Sequence, residues 1–487
     1  MRNALLLSCC LLASLMHAQV PIIDYDFLAV PPSVQVNKVV PLPDGRILVG
    51  GFFMNYAGSG KNHLVRLNND GTVDASWNTS GAGPSNQVMD IAVMSDGRIV
   101  IAGNFVTYNG VNSYFITRLL PNGDRDPTFN IPPNAINGAV LAIDVQSHNK
   151  VVAVGEFFVC YGHSMPYIAR FLVDGAVDLA FDIGSGFNAV TRDVLVLPDD
   201  RILVGGDFGS YNGNSSWGLA LLTAEGPYDT GMVMDPGFTG GFGTVRKVMR
   251  QPNGKIIVGG SFAFHNGQPS HALARIHLDG SRDPAFTSPF YPFAGILALA
   301  VDDAGHVFAG GEFTDGMYDP NVPGPGRFIR LQPNGTRDDV AYDVGEGPGP
   351  GQEPTSFVRD IAIQTDGKVL LGGFFGSFHN PAETQYRNLI RLHPEAATGI
   401  DESGAALNLH VLVDTNTGEL LVTDPFGTPG STLRLHDAVG RLLLERSLPP
   451  TDGAPVRVGH GLPAGTYVVG ITNGGRLAHA RVVTGTW

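Results

Sequence analysis

A chain of 487 residues exceeds the size at which a single hydrophobic core is usual, so two or more domains, or one large repeat fold with an appendage, are expected. Only 16% of the residues are charged while 64 are Gly and 34 are Pro, a composition of short strands and tight turns that disfavours helical classes. The formal charge of −14, with no basic run to offset it, excludes nucleic acid and anionic lipid surfaces as expected partners, because those are bound through clustered Lys and Arg.

Residues 1–18 have the form of a secretory signal peptide: Arg2, an apolar run from Ala4 to Met16, then His17 and Ala18 before Gln19. The expected location is therefore extracellular, either secreted or at the outer cell surface. A lipoprotein route through Leu6-Leu7-Ser8-Cys9 is disfavoured because the apolar run before Cys9 is short. Removal of the leader also removes Cys9 and Cys10, which leaves Cys160 as the sole cysteine and no internal disulfide. Following Phe157, Phe158 and Val159, Cys160 reads as a small buried apolar residue rather than a nucleophilic thiol. No later stretch approaches the roughly 18 unbroken apolar residues of a membrane helix, so no transmembrane span is expected in the mature chain.

From residue 43 the chain states a phrase and repeats it. "PDGRILVGGFF" is a turn, an apolar strand and a pair of glycines, and aligning on the second glycine gives Gly51, Gly103, Gly155, Gly206, Gly260, Gly311 and Gly373. The intervals are 51 to 54 residues with one of 62, the mark of a repeat architecture. About fifteen residues past each glycine pair comes a second hairpin, as in "LVRLNNDGTVD" and "ITRLLPNGDRD". A three-residue loop ending in Gly sets the register and puts Arg66 opposite Asp74, Arg118 opposite Asp126, Arg170 opposite Asp178, Arg275 opposite Asp283 and Arg330 opposite Asp338. The Asp opens an Asp-x-x-aromatic group: Asp74 to Trp77, Asp126 to Phe129, Asp178 to Phe181, Asp283 to Phe286, and Asp339 to Tyr342. In the fourth unit Leu221 takes the arginine position, and the group is expected after an insertion, at Asp235 to Phe238.

The seventh unit has Arg391 but no such group, whereas Asp24-Tyr25-Asp26-Phe27 stands alone near the start without a preceding hairpin. A ring in which the N-terminal strand completes the last sheet accounts for both, with Asp24 or Asp26 facing Arg391. The predicted fold is all-β: a seven-bladed β-propeller of four-stranded sheets over residues 19–396, closed by its N-terminal strand. An open β-solenoid, the rival, does not account for an orphan strand at one end matching a missing one at the other. The units resemble the delta-60 repeat family over about residues 24–392. That resemblance implies a seven-bladed propeller and supplies no catalytic residues.

After a linker at 397–404 the period is lost, and residues 405–487 alternate as a small C-terminal β-sandwich would. The tail resembles the type A C-terminal sorting domain of the type IX secretion system, through Asp437, Gly440 and Arg441, the run Leu462-Pro463-Ala464-Gly465-Thr466-Tyr467, and the terminal Arg481-Val482-Val483. It departs from the pattern in lacking Tyr-Pro-Asn-Pro near residue 407 and in having Arg481 where Lys is common. The resemblance implies the type IX secretion machinery as a partner and delivery across the outer membrane.

Chemistry is sparse in the sequence. No nucleophile, phosphate-loop or metalloprotease motif stands in a fitting context, and no cofactor or metal is expected. Asp-rich loops such as "NGDRDP" are read as self-bonded turns rather than calcium sites. An aromatic or His recurs five or six residues past the glycines, at Tyr56, Tyr108, Tyr161, Tyr211, His265 and His379. These are candidate ligand-binding positions on one face, with packing plugs between blades as the competing account. Two loops break the period, 224–237 and 345–354, and recognition loops or solvated linkers fit either. The expected function is a monomeric, non-enzymatic binding module for a glycan or surface protein. An extracellular propeller hydrolase or lyase and a ligand-free spacer are the alternatives, and catalytic residues are not identifiable from sequence.

Overall fold

The structure, a computed structural model, describes residues 23, 24, 26–30, 34–291, 294–314, 326–338, 342, 344, 347–349, 356–378, 387–394, 410–413, 420–423, 431–437, 442–448, 456–458, 465–473 and 476–484. The signal segment 1–18, His379 and Gly440 lie outside the described residues. Among those described there is no α-helix, only one short 3-10 turn at Tyr56–Gly58, and no helix is long and apolar enough to cross a membrane. The chain divides into a unit of Ile22–Glu395 and one containing Ala396–Trp487.

The first unit is built from β-propeller repeats. Seven antiparallel three-stranded sheets follow one another, from Gln35–Pro41, Ile47–Phe52 and Leu64–Leu67 to Phe357–Ile363, Val369–Phe374 and Leu389–Leu392. The first strand of each sheet packs against the first strand of the next, and Gln35–Pro41 packs against Phe357–Ile363. These first strands are therefore the inner ones.

The expected fourth strand is reduced to a single bridged residue per unit, such as Leu67 with Val73, Leu119 with Arg125 and Phe171 with Val177. Its Asp ends the strand by folding its own turn: Asp74 Oδ1 accepts the N–H of Ser76 at 3.0 Å, and Asp126 Oδ1 that of Thr128 at 2.9 Å. In the seventh sheet the bridged residue is Ile23, paired with Leu392, and the N–H of Asp24 donates to the carbonyl of Arg391 at 2.9 Å.

In every repeat but the fourth, one arginine binds three partners. Arg118 donates from Nε to Asp126 at 2.7 Å and from Nη1 to the carbonyl of Val173 in the next unit at 2.6 Å, and its guanidinium lies 5.0 Å from the ring of Phe129. Arg66, Arg170, Arg275 and Arg330 repeat this with Asp74, Asp178, Asp283 and Asp338, reaching Pro121, Ala224, Pro333 and Pro394. Arg391 does the same with Asp24 at 2.8 Å, with Phe27 at 4.5 Å and with the carbonyl of Asn69 in the first unit. Lys368 adds a second cation to Asp24 at 2.9 Å, as Lys150 does to Asp178.

The fourth unit corrects the expectation for Asp235. The N–H of Asp229 donates to the carbonyl of Leu221 at 2.8 Å, and Asp229 Oδ1 accepts from Gly231, so Asp229-Thr230-Gly231-Met232 is the equivalent group, with Met232 for the aromatic. The spacing of eight was kept there, but both marker residues were replaced. Phe238 instead pairs with His265 beside the fifth sheet.

The glycine pairs mark close approach. A Cβ on Gly51 would stand 2.2 Å from the carbonyl oxygen of Gln35, and one on Gly373 2.2 Å from that of Phe357. A Cβ on Gly372 would meet Val36 of the first sheet at 2.5 Å.

The second unit contains a three-stranded sheet, with Leu420–Thr423 between His410–Val413 and Val456–Val458, and a four-stranded one in the order Leu442–Ser447, Thr432–Asp437, Gly465–Asn473, Arg476–Thr484. Leu420, Val422, Leu433, Leu435, Val469 and Ile471 alternate along their strands and are buried. Asp437 and Tyr467 are directly paired across two strands.

Burial alone would raise the pKa of Asp24, but Lys368 and Arg391 outweigh it and hold the carboxyl below the usual range. Burial is likewise outweighed at Asp126, by Thr128 and Arg118, and at Asp283, by Lys255 and Arg275, both falling to about 2. Depressed folded values give stability that is present above the unfolded value near 4 and lost as pH falls through about 2. The unfolding midpoint in urea should therefore drop between about pH 4 and pH 2. A double-mutant cycle of Asp24→Ala and Arg391→Ala at pH 7 should give a coupling of about 1–3 kcal/mol, whereas simple additivity would mean that the two do not clasp in solution.

Candidate functional site

In the first unit a 3-10 turn at Tyr56–Gly58 follows the glycine pair, and in the second to fifth units the loop there carries a small hairpin beside the sheet, such as Thr107–Tyr108 with Val111–Asn112 and Ser210–Tyr211 with Asn214–Ser215. Its turn is Asn109-Gly110 or Asn212-Gly213, with positive φ at both residues, which explains the recurrent "YNG". The candidate aromatic positions lie inside this packing. Tyr56, Tyr108, Tyr211 and His265 are buried, and Tyr161 is partly so. The hydroxyl of Tyr211 donates to the carbonyl of Gly226 at 2.7 Å, and Tyr108 uses Gly123 in the same way at 2.5 Å.

Tyr161 is not the structural counterpart of the others. In its hairpin Cys160 pairs with His163 and Tyr161 occupies the turn at φ 52°, so Cys160 fills the buried slot and Tyr161 reaches Gly175 from one residue further on, at 2.7 Å. Burial pushes the Cys160 thiol up to about 12, as befits an inert core residue. Tyr108, Tyr161 and Tyr211 fasten their hairpins to turns through their hydroxyls, while Tyr56 and His265 are buried without a hydrogen-bond partner among the described residues.

Strands one and two are joined by a tight turn, so the end of strand two, the start of strand three and the start of the next inner strand all meet at the opposite end. Phe52, Met54, Val106, Phe158, Trp217 and Phe242 each lie within three residues of such a strand end and are exposed, Phe242 by 82%. The turn end displays smaller apolar side chains: Val173 and Leu179, and Leu28 and Val233, whose N–H groups donate to the turn carbonyls of Asp70 and Asp279.

At the loop end a cavity of about 300 Å³ opens among the inner strands, lined by Asn37, Gln87, Asn104, Leu141, Arg192, Arg246, Leu297 and Arg359, among others. A second, of about 440 Å³, opens toward the turn end along Ile91–Ser95 and Ile143–Ser147. Lys38, Asp90, Asp193 and Lys247 border both. Lys38 lies 3.1 Å from Asp90 and 3.9 Å from Asp360, and Lys247 lies 2.8 Å from Asp193.

These carboxylates also stitch neighbouring sheets. Asp360 accepts the N–H of Val39 at 2.9 Å, Asp90 that of Ile143, Asp144 that of Val196 and Asp193 that of Val248. Among the described residues no cation reaches Asp144, and burial raises its pKa to about 6 against the two N–H groups it accepts, from Val196 and Val145. Among the described residues no group of three or more His, Cys, Asp and Glu is placed to hold a metal ion.

Sequence inspection missed the cavity residues because they do not repeat in type. They do repeat in place. Counting fourteen back from each second glycine gives Asn37, Met89, Leu141, Arg192, Arg246, Leu297 and Arg359, one bulged residue in each inner strand.

Residues 42–76, 95–129, 146–181, 197–231 and 251–286 match the family model described as "Domain of unknown function (DUF5122) beta-propeller". The fourth matched segment takes in Asp229 and stops short of Asp235, in keeping with the register above. No curated protein matches the chain in sequence. Among solved structures it is similar to PorZ, an essential bacterial surface component of the type IX secretion system of Porphyromonas gingivalis, at 14% identity and TM-score 0.44 over 93% of this chain and 60% of that one. It is also similar to the WD40 domain of Pan2 from Neurospora crassa, at 12% identity and TM-score 0.30 over 71% of this chain and 87% of that one. At such TM-scores neither likeness bears on ligand or partner.

His265 tests the hairpin account. Among the described residues no hydrogen-bond partner reaches either ring nitrogen, and burial, aided by Arg282, lowers its pKa to about 4, with Gly280 opposing weakly. The stability linked to this neutral ring is present above about pH 6.5 and declines as pH falls toward 4. His265→Tyr places a hydroxyl where Tyr108 and Tyr211 have theirs, so it should stabilise the protein by about 1 kcal/mol in urea unfolding and abolish that pH slope. Tyr211→Phe should cost about 1 kcal/mol.

Proposed function

We propose that residues 19–396 form a seven-bladed β-propeller, closed by the strand of Asp24, which acts outside the cell as a binding module for an extracellular polymer or protein. Support for closure comes from the Ile23–Leu392 bridge, the clasp of Arg391 with Asp24 and Asn69, and Val36 seated against Gly372. Residues 405–487 are read as a β-sandwich that hands the propeller to the type IX secretion machinery after a signal peptide has taken it across the inner membrane. The direct pairing of Asp437 with Tyr467, two residues of the sorting motif, supports that part.

The observation that carries the binding role is the coincidence of six exposed apolar side chains with the open end of a polar cavity. Large apolar groups around a polar centre are the anatomy of a recognition surface. Binding is favoured over hydrolysis because Asp90, Asp193 and Asp360 on the cavity wall each accept a backbone N–H from a neighbouring sheet, which leaves Glu156 as the wall carboxylate without such a bond among the described residues. Hydrolysis would need carboxylates free to exchange protons with a substrate.

A glycan and peptide array probed with the mature full-length chain tests this. At least one ligand class should be retained by the wild type and weakened about tenfold by Trp217→Ala combined with Phe242→Ala, while Val173→Ala at the opposite end leaves it unchanged. Equal binding by all three proteins would remove the loop end as the site. In the producing cell, deletion of residues 397–487 should leave the protein in the periplasm, detectable by fractionation. Surface delivery of that truncation would overturn the sorting role.

A further inference from the structure

The seven bulged positions are structurally equivalent but chemically unequal. At each, one residue drops out of register between two paired neighbours, Thr191 and Asp193, Val245 and Lys247, or Val358 and Asp360, and its side chain borders the cavity. Three of the seven are arginines. Arg192 is neutralised by Asp207 across the strand pair, with Nε at 3.0 Å from Oδ2. Arg246 and Arg359 are not: no hydrogen bond or ion pair to a described residue reaches either guanidinium.

Their surroundings make this costly. Burial lowers the pKa of Arg246, and Arg192 lowers it further, against Asp207 and Glu312. Arg359 is lowered by burial and then by Arg246 and Arg192, against Glu312 and Asp360. Two guanidinium groups are thus held near each other and near a third, in a recess, with acids in range and none in contact. The fully buried guanidinium groups of Arg118 and Arg391, by contrast, are held by partners, whereas Arg246 and Arg359 are partly buried and face the recess. Partly desolvated cations without a partner destabilise a fold unless something else arrives to pair with them.

The rest of the lining narrows what arrives. Gln87 and Asn104 offer amides, Leu141, Leu297 and Met89 offer apolar surface, and Glu156 adds a carboxylate to the wall, while the Asn37 amide is held by Val88 and Gln35. A volume of about 300 Å³ is at the small end for a ligand pocket, the size of one sugar ring. Guanidinium forks bind carboxylates in two parallel hydrogen bonds, amides suit hydroxyls, and aliphatic side chains cover a ring face. With a net charge of −14 the chain as a whole does not attract anions, so selection rests on these local contacts.

We propose that this recess binds an oxyanion-bearing group through Arg246 and Arg359, flanked by Arg192, and that the group is the carboxylate of an acidic sugar at the end or edge of an extracellular polysaccharide. This deepens the binding role proposed for the same end and names its ligand class. The apolar rim would contact neighbouring sugars, and the recess takes the charged one.

Titration calorimetry of the full mature chain at low ionic strength tests it, with sodium glucuronate as probe, glucose as the neutral counterpart and sodium sulfate as the free anion. Glucuronate should bind and glucose should not. Arg246→Met and Arg359→Met should each weaken glucuronate about tenfold or more, and the double variant should abolish it. Sulfate binding as tight as glucuronate, with the same arginine dependence, would overturn the sugar assignment and leave a free-anion site. No binding of either anion, or binding that survives both substitutions, would overturn the site altogether.

Thermal unfolding without ligand gives a second readout. Because each arginine lacks a partner, Arg359→Met should melt at the same temperature as wild type or higher, and a fall of several degrees would mean a structural role. Trp217→Ala with Phe242→Ala should leave glucuronate binding intact, so failure of the rim and failure of the recess are distinguishable.

Discussion

A buried arginine that joins two successive repeats is the interaction on which this architecture depends. Each of these side chains is removed from water, which is costly, and is stable there only because its donors and its face are all occupied. Nε meets the repeat's own Asp, Nη1 meets a turn carbonyl of the next repeat, and an aromatic ring covers the guanidinium plane. The same group therefore fixes the outer turn of one sheet and sets its distance from the neighbour. Six of the seven joins have it, and at the join after the fourth sheet Leu221 packs in an apolar cluster with Met232 instead.

The glycine pairs have a second consequence at the centre. Because the second glycine has no side chain, the facing inner strand comes close enough to bulge, as Gln35 does over Gly51. The bulge then turns one residue per sheet out of the ladder and toward the cavity. A structural requirement thereby creates seven positions that border the cavity, and in this chain they hold an amide, three apolar residues and three arginines. The scaffold is repetitive so that the lining need not be.

How much of this was legible in the sequence follows from how local each signal is. The period, the glycines and the Arg-to-Asp spacing of eight are set by hairpin geometry within a few residues, and they could be read directly. Asp24 opposite Arg391 could be inferred because one end lacked what the other had spare. Asp229 was missed because both of its markers, the arginine and the aromatic, were substituted, leaving only spacing. Cys160 and Tyr161 were confused because Tyr161 stands at the turn position of Asn109, six residues past its glycine, while Cys160 takes the place of Tyr108 at five, and residue type was weighed above the count. Tyr108 and Tyr211 were candidates for display because a periodic aromatic looks the same whether it faces solvent or plugs a turn. Burial separates the two, and burial depends on what the rest of the chain brings alongside. Arg192, Arg246 and Arg359 left no periodic trace in residue type, only a constant count of fourteen before a glycine.

The pairing of Asp24 with Arg391 spans 367 residues. A polypeptide leaves the ribosome from its amino end, so the first partner of this contact exists long before the second has been made. Until then Ile23 and Asp24 are an unsatisfied edge. Arg391 meets residues that were made first, so this contact can form only once the whole unit has been synthesised, and a truncation upstream of Arg391 would leave Ile23 and Asp24 without their partner strand.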